Sequence, residues 1–378
     1  MLAHYGDQIR PLEMTESSQK VALPILVAAN SLLLGLSILS GRLPLYQVIL
    51  LSIFPGSILS LWQLQILHDN LHGSLLDKSK SKLWSIKKRR LQDVILFLGS
   101  MPSVFGYYLY LKRGHLTHHT NVGNKDSASL AQLFDSPSPD FEDGDVLFVA
   151  HRMKLKGDIG PKFTVAGKEI KMSIAKSGFT MWKDGSTLRN MIFFALSFMY
   201  ERIMLVANDA LVAVTGHNLF FPNKPAGFHS DCTLYARVAT ALRLSLWKFA
   251  GTKALLFLYL SETLWSIPPH PCCSMFVTNH GSPTTPDGGC TPSSSTYAGQ
   301  WYSILTLGTN FHAEHHDFPT VPLHRLWKLR QIAPEYYRPD GDNLWSIMKE
   351  AFRKPDYYAC MDVGMGSLKV IRGEDTVL

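Results

Sequence analysis

The sequence predicts an all-α integral membrane protein, with about four transmembrane helices in two hairpins under a cytosolic helical cap. Three observations lead there. The 378 residues are 46% hydrophobic and only 18% charged, whereas an average soluble domain is about a quarter charged. The apolar residues fall into long blocks with the charge pushed between them. The 15 histidines include three tight clusters that follow apolar blocks.

Residues 1–20 carry Asp7, Glu13 and Glu16 and no apolar core, which fits neither a secretory signal nor a transit peptide. Residues 21–40 are apolar apart from Asn30 and a few serines, and as a helix span roughly 30 Å, the hydrocarbon thickness. Residues 43–67 form a second such block. Only Gly41 and Arg42 separate the two, so 21–67 reads as a tight hairpin with both outer ends on one side. The basic run Lys78, Lys80, Lys82, Lys87, Lys88, Arg89 and Arg90 follows. Beside an apolar block such a run marks the cytosolic face rather than a nucleic-acid site.

Residues 68–190 read as a cytosolic segment. Within it, the apolar stretch 92–111 is interrupted by Gly99, Pro102 and Gly106 and reads as interfacial or re-entrant, while 125–185 is polar. Residues 191–266 hold a second hairpin, with arms 191–216 and 236–266. These arms contain Glu201, Arg202, Arg243, Lys248 and Lys253. Charges inside a span are costly and are usually paired or face protein, and Glu201 beside Arg202 is one such pairing. Residues 267–378 return to the cytosol, with 281–299 a Gly/Pro/Ser/Thr loop and a soluble-looking tail from 320. The whole chain reads as one domain without internal repeats. Cys232, Cys272, Cys273, Cys290 and Cys360 form no C-x-x-C pair and read as reduced structural thiols.

The chemistry lies in the histidines. The clusters are His68-Asp-Asn-Leu-His72, His115-Leu-Thr-His118-His119 and His312-Ala-Glu-His315-His316. Histidines three or four apart share one helix face, so each cluster aims its imidazoles at one point. At this chain's histidine frequency, chance supplies roughly 0.02 copies of H-x-x-H-H; there are two. Eight imidazoles exceed the four ligands of a zinc site, so two metals are needed. Imidazole suits iron, copper, nickel and zinc, and iron is preferred because the site adjoins buried hydrocarbon, where hydrolytic zinc chemistry has little to attack. An even number of crossings between clusters puts all three on the cytosolic face. A metal transporter would bury its ligands at mid-membrane instead.

These boxes resemble the membrane fatty acid desaturase superfamily, with its H-x-x-x-H, H-x-x-H-H and H-x-x-H-H pattern. The stretch Asn310-Phe-His-Ala-Glu-His-His-Asp-Phe-Pro319 is similar to the third box of sphingolipid Δ4-desaturases, as are Pro322-Leu-His-Arg and Ile332-Ala-Pro-Glu-Tyr-Tyr337. His270-Pro through Phe276-Val-Thr-Asn-His280 is similar to an upstream segment of that group, with Met275 and Asn279 standing where it has His and Glu. The first box also resembles that of carotenoid ketolases. The resemblance covers residues 60–340 and implies that His280 completes the iron shell; His270 receives no role.

It further implies a lipid substrate held in an apolar tunnel, two iron ions with O₂ as co-substrate, and removal of two adjacent hydrogens to leave a double bond. Hydroxylation or ketolation is the alternative on the same scaffold, and a metal-binding or transport protein the alternative of another class. Asp69, Glu314 and Asp317 adjoin ligands and are expected to orient imidazole N–H groups. With no H-P-G-G cytochrome b5 signature and no nucleotide-binding glycine motif, electrons must come from a separate donor. That donor is cytochrome b5 with its reductase for an endoplasmic-reticulum enzyme, or ferredoxin for a plastid one. The basic run at 78–90 is also a candidate dock for an acidic donor.

Overall fold

A computed structural model of the chain describes residues 1–13, 16–76, 82–83, 86–102, 115–116, 119, 162–165, 168–171, 187–216, 226–274, 295–337, 344–345 and 348–349. Helix α1 (Leu2–Ile9) runs into a 3₁₀ turn, Arg10–Glu13. Helix α2 (Glu16–Ser40) is the first apolar block. It exposes Val27, Leu32 and Ile38 while burying Leu26, Ala29 and Leu33. A helix apolar on every side suits lipid rather than water.

The second block is bent. Helix α3 (Leu45–Leu51) and helix α4 (Ser57–Leu71) are joined by a wide turn, Ser52–Gly56, where Phe54 leaves helical geometry and Pro55 supplies no N–H. Helix α4 continues past the expected end at residue 67 and carries His68 on its last turn. Among the described residues, two helical stretches are long and apolar enough to cross a membrane. They are Ser18–Ser40 and Leu45–Leu71, with mean hydropathies of 2.1 and 1.6.

The expected interfacial segment begins as helix α5 (Lys88–Gly99). Twelve residues rise about 18 Å, too little for the bilayer core. Its end is fixed by Asn30 Nδ2 and Gln63 Nε2, which both donate to the Gly99 carbonyl, at 3.2 and 2.7 Å. Residues 103–114 lie outside the described set.

Helices α6 (Thr187–Thr215), α7 (Ala226–Ala250) and α8 (Thr252–Leu264) follow. The sequence suggested one continuous arm over 236–266. The structure corrects this: the helix starts at Ala226 and breaks at Gly251. There φ is +78°, a conformation glycine adopts without strain, and the Gly251 N–H closes the last turn on the Trp247 carbonyl at 2.8 Å. The Gly41 turn seats against this break; a Cβ at Gly41 would overlap the Ala250 carbonyl oxygen.

Helices α2, α4, α7 and α8 pack together through Ala22, Ala29, Ala236, Ala239 and Ala254, all buried. In lipid, close approach of small residues drives such association more than apolar burial does. Charge inside α6 and α7 is neutralised by Arg243 and Asp209, paired at 3.0 Å with Asp209 1% exposed. The expected Glu201–Arg202 pairing involves a Glu201 side chain outside the described set. Removing one partner of a buried pair strands the other charge. Asp209→Ala is therefore expected to lower stability by about 3–5 kcal/mol, and Asp209→Leu with Arg243→Met to recover most of it, read by thermal unfolding in detergent.

Two small antiparallel hairpins were not expected of an all-α chain. They are β1–β2 (Lys82–Leu83 with Ile86–Lys87) and β3–β4 (Lys162–Val165 with Lys168–Lys171), with Leu83 opposite Ile86 and Phe163 opposite Ile170. The first bends the basic run back before α5. Beyond the bundle lie short helices: α9 (Gln300–Leu305), α10 (His312–Asp317) and α11 (Leu326–Ile332), with 3₁₀ turns Leu323–Arg325 and Pro334–Tyr336.

Candidate metal centre

The first box is helical because α4 continues through it. His68 is buried on the final turn, and His72 caps the helix, its N–H returning to the His68 carbonyl at 3.3 Å. The third box is α10, where 100° per residue puts His312, His315 and His316 towards one side and Glu314 on the other. From the second box, His115 and His119 are described.

Five imidazoles converge. One ring nitrogen from each of His68, His72, His115, His119 and His315 lies within 4.8 Å of every other. His72 Nε2 is 2.9 Å from His115 Nε2, which is 3.1 Å from His119 Nε2, itself 3.1 Å from His315 Nε2. Neighbouring nitrogens around an octahedral ion with bonds of about 2.1 Å lie about 3 Å apart, so the spacing fits a shared metal. His316 stacks on His119 with ring centroids 4.2 Å apart, and His312 lies 4.5 Å from His316, extending the cluster beyond one ion's reach. His118 and His280 lie outside the described residues.

The electrostatics fit metal too. Burial, and then the surrounding His68, His72, His119 and His316, hold His315 well below the usual imidazole range, in the neutral form that a ligand requires. Its Nδ1 is buried without a hydrogen-bond partner. An all-nitrogen donor set selects borderline transition metals over calcium or magnesium.

The three acids make different bonds from those expected. Asp69, 3% exposed, accepts the Leu323 N–H at 3.2 Å. Fully buried Glu314 accepts the hydroxyls of Ser295 and Tyr297. Asp317 lies beside Tyr337, whose hydroxyl partly offsets the upward push of burial on the Asp317 carboxyl. None of these partners is an imidazole: each acid sits off the ligand face of its helix and ties that helix to a distant segment. Sequence reasoning did not find Ser295, Tyr297, Leu323 or Tyr337, because nothing local marks a hydroxyl or amide as a future partner. The loop 295–299 also locks the entry to α10. Thr296 and Asn310 exchange Thr296 N–H to Asn310 O at 2.9 Å and Asn310 Nδ2 to Thr296 O at 3.0 Å. Arg330 stacks on the Tyr297 ring at 3.6 Å.

His270 lies off the cluster. Its Nδ1 accepts the Cys272 N–H at 3.2 Å, so Nε2 carries the proton and donates to Ser57 Oγ at 3.0 Å. This bond joins the turn after α8 to the start of α4. Burial pushes His270 down to about 4. The unfolded chain takes up this proton near pH 6.5 and the folded chain does not. Stability is therefore expected to fall as pH drops from about 6.5 towards 4, by up to about 3 kcal/mol. His270→Asn should lose that part of the slope in unfolding measured across this range. Cys232, Cys272 and Cys273 are buried thiols outside any disulfide, as expected of structural cysteines.

Comparison with known proteins agrees with the geometry. A family model described as fatty acid desaturase matches residues 44–347. The chain is 38% identical over 122 residues to a sphingolipid delta(4)-desaturase DES1-like protein of Oryza sativa subsp. japonica, covering 32% of this chain and 34% of that one. It is 35% identical over 104 residues to a putative sphingolipid delta(4)-desaturase/C4-monooxygenase of Caenorhabditis elegans, covering 28% and 27%. It is 30% identical over 131 residues to sphingolipid delta(4)-desaturase DES1 of Homo sapiens, covering 33% and 35%. The chain thus matches about a third of the length of these curated relatives. No solved structure matches it.

Proposed function

The chain belongs to the fatty acid desaturase family, and from that premise we propose that it is an O₂-dependent lipid desaturase acting on a long acyl or sphingoid chain. The observation that carries this is the convergence of five imidazoles from three distant segments. Two irons would be held by His68, His72, His115, His118, His119, His280, His312, His315 and His316. When bound, such a centre supplies with O₂ the oxidising power to break unactivated methylene C–H bonds. The balance is one CH₂–CH₂ unit, O₂, two electrons and two protons in, and one CH=CH unit and two waters out.

The protein's residues do the positioning. The imidazoles would present nitrogen lone pairs to the metals, and the ties from Asp69 and Glu314 hold the first and third boxes in register, because ångström-scale displacement separates desaturation from hydroxylation. The apolar helices present the substrate chain from the bilayer. The relatives' names favour a sphingolipid, in our reading one of the dihydroceramide type, and the monooxygenase half of one name favours hydroxylation as the second reading.

The whole chain is one membrane domain in this reading. Two hairpins, 21–67 and 191–266, would place the histidines on the cytosolic face of the endoplasmic reticulum. Electrons come from cytochrome b5 and its reductase; a plastid location would require ferredoxin. The test is expression in a desaturase-deficient host fed saturated ceramide precursors and glycerolipids, with products read by mass spectrometry. New double bonds in the sphingoid chain are expected. Oxygenated products alone would establish the second reading, and unchanged lipids alongside iron-free protein would overturn both.

A further inference from the structure

We propose that the segment Leu2–Glu13 is a positioning clamp that holds the third histidine box, and through it the first, in metal-binding geometry. The inference rests on the metal-centre reading above. Helix α10 has six residues, and a helix so short has no stability of its own. The direction of His312, His315 and His316 is therefore decided by what packs around them.

Three groups grip this helix and its neighbour. Phe311 stands at its entrance, Tyr337 stands beside Asp317 at its exit, and the Leu323 N–H holds Asp69 beside His68. All three residues belong to one apolar cluster, completed by Ile9 and Leu12, which are 1% and 9% exposed. The clamp's polar contacts reach the same pieces of chain. Tyr5 OH donates to Glu335 Oε1 at 2.8 Å, Arg325 Nη1 donates to the Leu12 carbonyl at 3.1 Å, and Thr320 Oγ1 donates to the Glu13 carboxylate. Lifting Leu2–Glu13 away would open the cluster to water and loosen both ends of α10 together. The contacts of the segment run to the apolar cluster and to Glu335, Arg325 and Thr320, so its effect is passed on through Phe311, Leu323 and Tyr337.

The experiment uses full-length protein in detergent, loaded with Fe²⁺. The half-time of iron loss to a chelator and the exchange of amide hydrogens are measured for the wild type, for Ile9→Asp with Leu12→Asp, and for the conservative pair Ile9→Leu with Leu12→Ile. The aspartate pair is expected to speed amide exchange across 2–13 and iron loss by about tenfold or more, with α2 and α4 still protected. The conservative pair is expected to keep its iron. A freed segment with wild-type iron retention overturns the clamp. If the aspartate pair also unfolds α2 and α4, Ile9→Ala is read in its place, and iron loss at the wild-type rate overturns the proposal there too. A wild type that holds no iron overturns the metal-centre reading instead.

Discussion

Replacing His315 by alanine is expected to reduce desaturated product to background and to remove about half or more of the bound iron. Among the described histidines none is more completely enclosed: it is 0% exposed, its Nε2 lies 3.1 Å from that of His119, and its ring centroid is 4.5 Å from that of His68 and 4.8 Å from that of His72. Because the donors come from three segments, removing one imidazole both deprives the metal of a ligand and leaves a gap among the four that remain. Product analysis in the expressing host and iron determination on purified protein would read the two losses separately. His270→Ala is the control, since His270 bonds Ser57 and Cys272 and should leave iron content intact. Wild-type iron and product from the His315 variant would refute the assignment of the centre.

Glu314→Gln is expected to produce the next largest effect. The carboxylate accepts two hydroxyls, from Ser295 and Tyr297, inside a fully buried pocket. Glutamine has one carbonyl oxygen and one NH₂ group, so one hydroxyl meets a donor where it had an acceptor. A buried polar group left unsatisfied costs about 1–3 kcal/mol. Because Ser295 Oγ also accepts the Ala313 N–H at 2.8 Å, the mismatch is transmitted directly to the helix that carries His312, His315 and His316. A fall in iron affinity of about 10- to 100-fold is expected, along with a lower unfolding midpoint. Iron titration of the variant decides it. Full affinity would show that the loop 295–299 supports the box without Glu314.

The legible parts of this protein were those that depend on residue type and local period. Histidines at spacings of three and four had to share a helix face, and five of them meet at one point. The blocks at 21–40 and 43–67 were legible as long apolar helices, and among the described residues Ser18–Ser40 and Leu45–Leu71 are the two stretches long and apolar enough to cross a membrane. The charged second set was harder. Gly251 is a single residue within an apolar stretch, and only its positive φ reveals that it ends one helix and starts another. The acids were read halfway: Asp69, Glu314 and Asp317 stand beside the histidines, yet the partners of Asp69 and Glu314 are an amide and two hydroxyls brought in from elsewhere.

By itself the sequence determined the histidine boxes, the apolar helices and the family, because imidazole spacing and hydrophobic periods are properties of neighbouring residues. Only the tertiary structure decided which distant groups receive the buried carboxylates, where the charged helices break, and that Leu2–Glu13 closes over the third box. A hydrogen bond or packing contact depends on which remote segment arrives, and that follows from the balance of the whole packed chain.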